Sequence, residues 1–397
     1  MSEKVKKLVY DVVTSFREKW FTEPDIVSTA PGRVNLIGEH TDYTGGFVLP
    51  IAINRGIVFA VKKSADTTIS GYSINFDEIA LCQVSHYNPH HTSGWFRYVM
   101  GVLSELERAG YPVEGFRFSV GGDIPIGSGL SSSAAFEMAV LTAMEALLKF
   151  KLDDKEAAQL CQRAENNFVG MNCGIMDQFI SRMGRKDHAL FIDCTTLLSH
   201  PVKIHISGYS WVVIDSKKRR GLVDSEYNKR RRECEKALEI AHSIFSDREI
   251  QNLRDLTVDD LPVFKDACSD TVYRRLKHVV TENNRVLQTV KALEGGDIDS
   301  VGTYMYASHE SLKSDFEVSC EELDSLIEIL TTVEGVSGAR LTGAGFGGCV
   351  IAFLKDNSLH DVEMALQQNY HPTGLQDNRQ ADIWPVNISD GAHVVEM

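Results

Sequence analysis

Four clusters in this chain combine residue types that do chemistry. The first is Gly127-Ser128-Gly129-Leu130-Ser131-Ser132-Ser133-Ala134-Ala135, where glycines and serines meet the start of a long apolar stretch. Glycines let backbone approach a ligand closely, and a helix N-terminus offers unused amide donors. The pattern therefore suits phosphate, with serine hydroxyls available to bond oxygen or ligate Mg²⁺. It is not a Walker loop, because no Gly-Lys-Ser/Thr follows at the required spacing. A plain glycine turn with a serine cap is the other reading. The second cluster places Arg33, Glu39, His40 and Asp42 in one loop, bracketed by Gly38, Gly45 and Gly46. Carboxylates and an imidazole on a loop can grip several sugar hydroxyls at once. Each of these residues alone would read as part of a solvated turn. The third, Cys173-Gly174-Ile175-Met176-Asp177-Gln178-Phe179, sets Asp177 among apolar residues. An acid there needs a partner, and Arg33 is a candidate. A helix cap is the alternative for Asp177. The fourth, Gly343-Ala344-Gly345-Phe346-Gly347-Gly348, has the letters of a dinucleotide fingerprint but opens a strand instead of following one. It predicts a tight loop near a phosphate, or a simple turn. His86, His90 and His91 invite a metal reading, but Pro89 breaks the helix that i, i+4 ligation needs. A polar surface loop accounts for them better.

These clusters need elements to position them. β-Branched and aromatic residues predict strands over 57–61 and 116–120, and shorter ones over 190–193, 211–214 and 349–354. Helical spacing predicts helices over 95–109 and 131–150, the second capped by Ser131 or Ser132. Asp153 with Glu156 resembles a capping box opening a further helix to about residue 168. More helices are expected over 225–244, 274–293 and 321–331. Strands and helices mix without a regular βαβ repeat, so the expected class is α+β. A length of 397 residues suits two domains, placed at 1–190 and 191–397.

Composition narrows the function. Hydrophobic residues make up 43% and charged residues 24%, an ordinary globular balance. A formal net charge of −14 gives no general reason to bind nucleic acid or an anionic membrane. Any site for an anion must be built locally. The N-terminal stretch lacks the apolar run of a secretory signal. No segment approaches the about 18 apolar residues of a membrane span. Eight scattered cysteines without a C-x-x-C pair read as reduced thiols in a cytoplasmic protein.

Taken together, the motifs resemble those of the galactokinases, within the superfamily of galacto-, homoserine, mevalonate and phosphomevalonate kinases. Residues 32–46 look like the galactokinase signature, 127–135 like the superfamily's phosphate loop, and 341–348 like its third motif. Residues 173–181 and Ser225-Glu226-Tyr227-Asn228-Lys229-Arg230-Arg231 are also galactokinase-like, and the resemblance covers about 30–353. It implies an N-terminal α/β domain and a ferredoxin-like C-terminal domain with the active site in the cleft between them. It also implies transfer of the ATP γ-phosphoryl group to the C1 hydroxyl of galactose, the entry step of galactose catabolism. By position, Arg33, Glu39, His40, Asp42, Gly174, Asp177 and Tyr227 would surround the sugar. Gly127, Ser128, Gly129, Leu130, Ser131, Ser132 and Ser133 would cradle the phosphates. Ser132 and Glu165 would hold Mg²⁺, with Ser133 a rival for Ser132, and Trp95 and Tyr98 would pack the adenine. Asp177 would take or orient the hydroxyl proton, and Arg33 would keep Asp177 ionised and offset charge on the transferring group. A monomer is expected, with no nucleic-acid or membrane partner. Thr44 and Thr195 stand where the family pattern usually has Asn and Arg. The rival readings are another sugar-1-kinase, such as one for N-acetylgalactosamine, and a catalytically silent galactose sensor. Ser132, Ser133, Ala134, Ala135 and Asp177 count against the sensor.

Overall fold

The structure, a computed structural model, describes residues 3–90, 94–204, 206–219, 223–372 and 380–396. The first half runs α1 (Glu3–Trp20), β1 (Ile26–Asn35), β2 (Phe47–Val48), β3 (Pro50–Lys63), β4 (Thr68–Ser73), β5 (Glu78–Gln83), α2 (Phe96–Arg108), β6 (Phe116–Gly122), α3 (Ser132–Leu148), α4 (Asp154–Arg163), α5 (Met176–Met183), β7 (His188–Asp193) and β8 (Leu198–Lys203). The second half runs β9 (Tyr209–Asp215), α6 (Val223–Ile244), α7 (Leu261–Phe264), α8 (Asp270–Gly295), α9 (Ile298–Ser314), α10 (Glu321–Thr331), β10 (Val336–Thr342), β11 (Cys349–Lys355), α11 (Leu359–Asn369), β12 (Asp382–Pro385) and β13 (His393–Val394).

A six-stranded sheet has the order β13-β1-β3-β6-β4-β5, with only the β4–β6 pair parallel. Alternation along β3 explains why both faces are covered. Phe59 and Val61 enter a core with α2, α3 and α4, while Val58 and Ala60 enter another with Leu8, Val12 and Phe16 of α1. The second sheet, β10-β11-β9-β12, is antiparallel throughout. Its strands come in the chain order β9, β10, β11, β12, with helices before β10 and after β11. This is the split β-α-β-β-α-β arrangement of a ferredoxin-like unit, with helices added. The class is α+β, as the sequence pattern indicates.

One expectation needs correcting. A domain boundary at 190/191 falls inside β7, which pairs with both β2 and β8. Cutting there would break two ladders. The C-terminal β13 also returns to pair with β1. A third core joins the halves, with Val34, Ile51 and Ile53 packed against Trp211, Val213, Ile351 and Phe353.

Candidate active site

Arg33 lies on β1 just after a register shift between Pro31 and Arg33 in its pairing with β3. Such an irregularity re-aims side chains. Asp177 stands in the first turn of α5, beyond the N-cap Ile175. Arg33 Nε donates to Asp177 Oδ1 at 2.7 Å and Nη2 to Oδ2 at 2.9 Å, a bidentate pair. Arg33 Nη1 donates to the Gly129 carbonyl at 2.6 Å. Burial alone would lower the Arg33 pKa, but Asp177, Glu39 and Asp42 outweigh it and hold it raised. Asp177 is therefore not the cap of its helix; it is the partner of Arg33.

The glycine-serine loop meets the same pair. Ser131 is the N-cap of α3, in the left-handed region at φ 57°, and makes no side-chain cap bond. Its hydroxyl donates to Asp177 Oδ2 instead. The expected serine cap is thus absent, and the first amides of α3 keep their donors for a ligand. Leu130 is buried and its carbonyl accepts from the Arg33 amide at 3.1 Å, anchoring the loop to β1. Ser128 departs from its predicted place. Its buried hydroxyl donates to the Pro125 carbonyl at 2.6 Å, closing the turn, and it does not line the cavity.

The sugar-loop candidates converge from the other side. Asp42 sits so close to Gly174 that a Cβ on Gly174 would lie 1.8 Å from Asp42 Oδ2. Burial, then the Asp177 charge, push the Asp42 carboxyl up to about 7. His40 Nδ1 and the Tyr43 hydroxyl are 2.9 Å apart, and His40 Nε2 lies 3.1 Å from the Ala344 carbonyl. Tyr227, on α6, packs against His40 and Tyr43 with ring centroids 5.6 and 5.3 Å away. Burial and the nearby Asp42 raise its hydroxyl pKa. Glu39 is buried, and its Oε1 accepts from the Gly343 amide at 2.7 Å. The glycine-rich motif is therefore a loop at the site and no dinucleotide fingerprint. Thr195 donates to the Gly45 carbonyl at 2.7 Å and so buttresses the sugar loop. Where the family pattern has Arg at 195, Arg254 arrives from another segment, pairs with Asp193 and covers the Phe47 ring at 4.9 Å.

A cavity of about 720 Å³ lies between these loops. It is lined by Arg33, Glu39, His40, Asp42, Gly127, Gly129, Leu130, Ser131, Ser132, Ser133, Glu165, Gly174, Asp177 and Tyr227. Its size suits small ligands. Trp95 and Tyr98 are not brought to it. Trp95 is buried, donates to Glu78 at 3.0 Å and packs beside Phe96, Phe118 and Phe136, while Tyr98 packs on Phe136. Glu165 lies in a π-helical turn, Ala164–Val169, an irregularity frequent at functional sites. Burial raises its pKa against the stabilising hydrogen bond of Ser133. A serine hydroxyl beside a carboxylate is the hard-oxygen donor set that suits Mg²⁺ with phosphates. Among the described residues no group of three or more His, Cys, Asp or Glu could hold a metal by itself, and no helix is long and apolar enough to cross a membrane. His86 and His90 are exposed on their loop, and His91 lies outside the described residues.

Sequence reasoning missed Arg219. It pairs with Asp215 at 3.1 Å, and its Cδ lies 3.6 Å from where a Gly127 Cβ would be, next to the phosphate loop. The basic run Lys217-Lys218-Arg219-Arg220 after the strand was the available signal.

Family models match as "Galactokinase galactose-binding signature" over 14–63, "GHMP kinases N terminal domain" over 97–185 and "GHMP kinases C terminal" over 289–371. A galactokinase of Thermosipho africanus is 41% identical over 363 residues, covering 91% of this chain and 97% of that protein. The chain belongs to the galactokinase family. A galactokinase of Clostridium acetobutylicum is 40% identical, covering 91% of this chain and 93% of its own. The crystal structure of Lactococcus lactis galactokinase complexed with galactose matches with a TM-score of 0.90 at 34% identity, over 96% of this chain and 98% of that one. As a galactokinase, the chain is an ATP-dependent sugar kinase with the two-domain GHMP kinase fold.

Proposed function

We propose that this galactokinase transfers the ATP γ-phosphoryl group to the C1 hydroxyl of D-galactose, with Asp177 and Arg33 at the reacting centre. The observation that carries the reading is the Asp177 carboxylate, fixed by Arg33 and Ser131 at the meeting of the sugar loop and the α3 N-terminus. An ionised carboxylate has about four acceptor sites. Three are filled by these bonds, so one remains for the sugar hydroxyl. Asp177 orients that hydroxyl and accepts its proton as the oxygen attacks phosphorus. Arg33 supplies positive charge next to the transferring group, which phosphoryl transfer rewards more than covalent help. The free amides at the start of α3, with Gly127 and Gly129, hold the phosphates. Glu165 with Ser133 or Ser132 would hold Mg²⁺, whose charge offsets that of the phosphates when bound. The contact between Ser133 and Glu165 favours Ser133 over Ser132.

Glu39, His40, Asp42 and Tyr227 bind the sugar, with Gly174 leaving room for Asp42. A polar site aimed at one hydroxyl orientation rejects the epimer, because buried acceptors are left unpaired. One chain supplies all the groups named, so a monomer suffices. The test is an ADP-release assay across galactose, glucose, N-acetylgalactosamine and arabinose. Galactose should lead glucose in kcat/KM by on the order of 10³-fold or more. Comparable values for the two hexoses would reject the assignment, and galactose binding without turnover would point to a sensor.

A further inference from the structure

We propose that Arg340, Ser308 and Glu282, none of which lines the cavity, form a positioning relay that sets Glu39 for the sugar. The inference deepens the galactose-binding reading and rests on it. Arg340 on β10 is fully buried. Its Nη1 donates to the carbonyls of Asn35 and Leu36 at 3.0 and 3.2 Å and approaches Glu39 Oε1 at 3.5 Å. Its Nε donates to Ser308 Oγ, on α9, at 3.1 Å. Ser308 in turn donates to Glu282 Oε1, on α8, at 2.6 Å. The same Glu282 oxygen accepts from the Gly38 amide at 2.9 Å, one residue before Glu39. Three elements of the second half thus converge on residues 35–39 of the first.

The arrangement of Glu39 shows what the convergence achieves. Every hydrogen bond described on its carboxylate reaches Oε1, from the Gly343 amide, Thr342 Oγ1 and Arg340. Oε2 receives none of them, while Glu39 lines the cavity. One oxygen is fixed by protein and the other is left for a ligand hydroxyl. His278 Nε2, 3.1 Å from the Glu39 carbonyl, fixes the backbone of the same residue. A buried charge cluster is a poor way to gain stability, since well-packed apolar residues often do as well. Its distinctive capacity is to impose one arrangement. Here the imposed arrangement is that of a sugar-binding carboxylate and the glycine-rich loop beside it.

The test replaces the middle link. Ser308→Ala should fold with a near-normal Tm, raise the galactose KM about 5-fold, the effect of one ordinary hydrogen bond, and leave the ATP KM within about 2-fold. In a Glu39→Gln background the same substitution should lose most of its effect, because it acts through Glu39. Glu282→Gln, of equal shape, should repeat the pattern. An unchanged galactose KM, equal rises in both KM values, or the same effect with and without Glu39 would each overturn the relay. Failure of both variants to fold would overturn it in favour of a purely structural cluster. Wild type that does not phosphorylate galactose would instead reject the functional reading.

Discussion

At the scale of single residues, the site keeps charges where water is scarce, and that makes Asp177, Ser131 and Asp42 testable. Asp177→Asn keeps the shape but cannot accept a proton. We expect kcat to fall by about 10²–10⁴-fold with ATP binding retained, which calorimetry would follow; a near-normal kcat would remove Asp177 from the chemistry. Ser131→Gly should move stability and activity in opposite directions. The left-handed backbone at Ser131 costs about 1–2 kcal/mol that glycine does not bear, so the Tm should hold or rise. The hydroxyl on Asp177 is lost, so kcat should fall. Asp42 gives a pH signature. Its carboxyl is pushed up to about 7 from an ordinary 3.8. The folded state therefore holds a proton that the unfolded chain releases. The stability this proton contributes is full below pH 3.8 and is lost as pH rises through about 7. Galactose binding to the ionised carboxylate should then tighten as pH rises from 6 to 8 and release a proton into the buffer. Calorimetry in buffers of different ionisation enthalpy reads that proton, and Asp42→Asn should abolish it. An unaltered proton count in the variant would assign the titration elsewhere.

Among elements, the loop before α5 shows how backbone sets the pocket. Gly174→Ala would put a methyl carbon 1.8 Å from Asp42 Oδ2, so either the loop or Asp42 must move. The galactose KM should rise about tenfold or more while the ATP KM stays close to wild type; an unchanged galactose KM would mean that Asp42 does not bind the sugar. The sequence made this loop visible as a motif but not as a contact. Likewise it located α2, α3, α6, α8, α10 and β11, whose periodicity or β-branched runs are strong, to within a few residues. It did not separate β1, β4, β10 or α9. Strand β1 mixes Pro31, Gly32 and Arg33 into a bulged segment, and that bulge is what aims Arg33 at Asp177. Asp153 caps α4 as its spacing indicates, accepting from the Lys155 and Glu156 amides. The serine cap of α3 fails because propensity places a serine hydroxyl on its own helix, whereas Asp177 offers Ser131 a charged acceptor from another. Arg340 and Glu282 carry no motif. Only the fold brings them to residues 35–39, so no local pattern could have named them.

For the whole molecule, the C-terminal segment links stability to chemistry. After β12 the chain crosses back, and β13 adds to the edge of β1 through Thr29 and Ser28. Val395 is buried with Val12, Phe16 and Val27, and its amide donates to the Val27 carbonyl at 2.8 Å. On the way, the Gly391 and Ala392 amides donate to the carbonyls of Gly184 and Ser181 at 2.7 and 2.8 Å. Those carbonyls stand at the end of α5, whose first turn carries Asp177. The Ser181 hydroxyl donates to the Pro31 carbonyl at 2.8 Å, two residues before Arg33. The last strand therefore clamps the two elements that carry Arg33 and Asp177. Removing residues 389–397 takes away the buried Val395 side chain and uncovers Val12, Phe16 and Val27, a loss of about 1.5–3 kcal/mol, and frees the end of α5. The Tm should drop by about 4 °C or more, still in one transition, because the core shared by the two sheets couples the halves. kcat should fall while the ATP KM changes little, because the phosphate loop belongs to α3 and not to α5. A truncated chain with wild-type kcat and a lower Tm would confine β13 to stability. Two separate thermal transitions would show that the shared core does not join the halves.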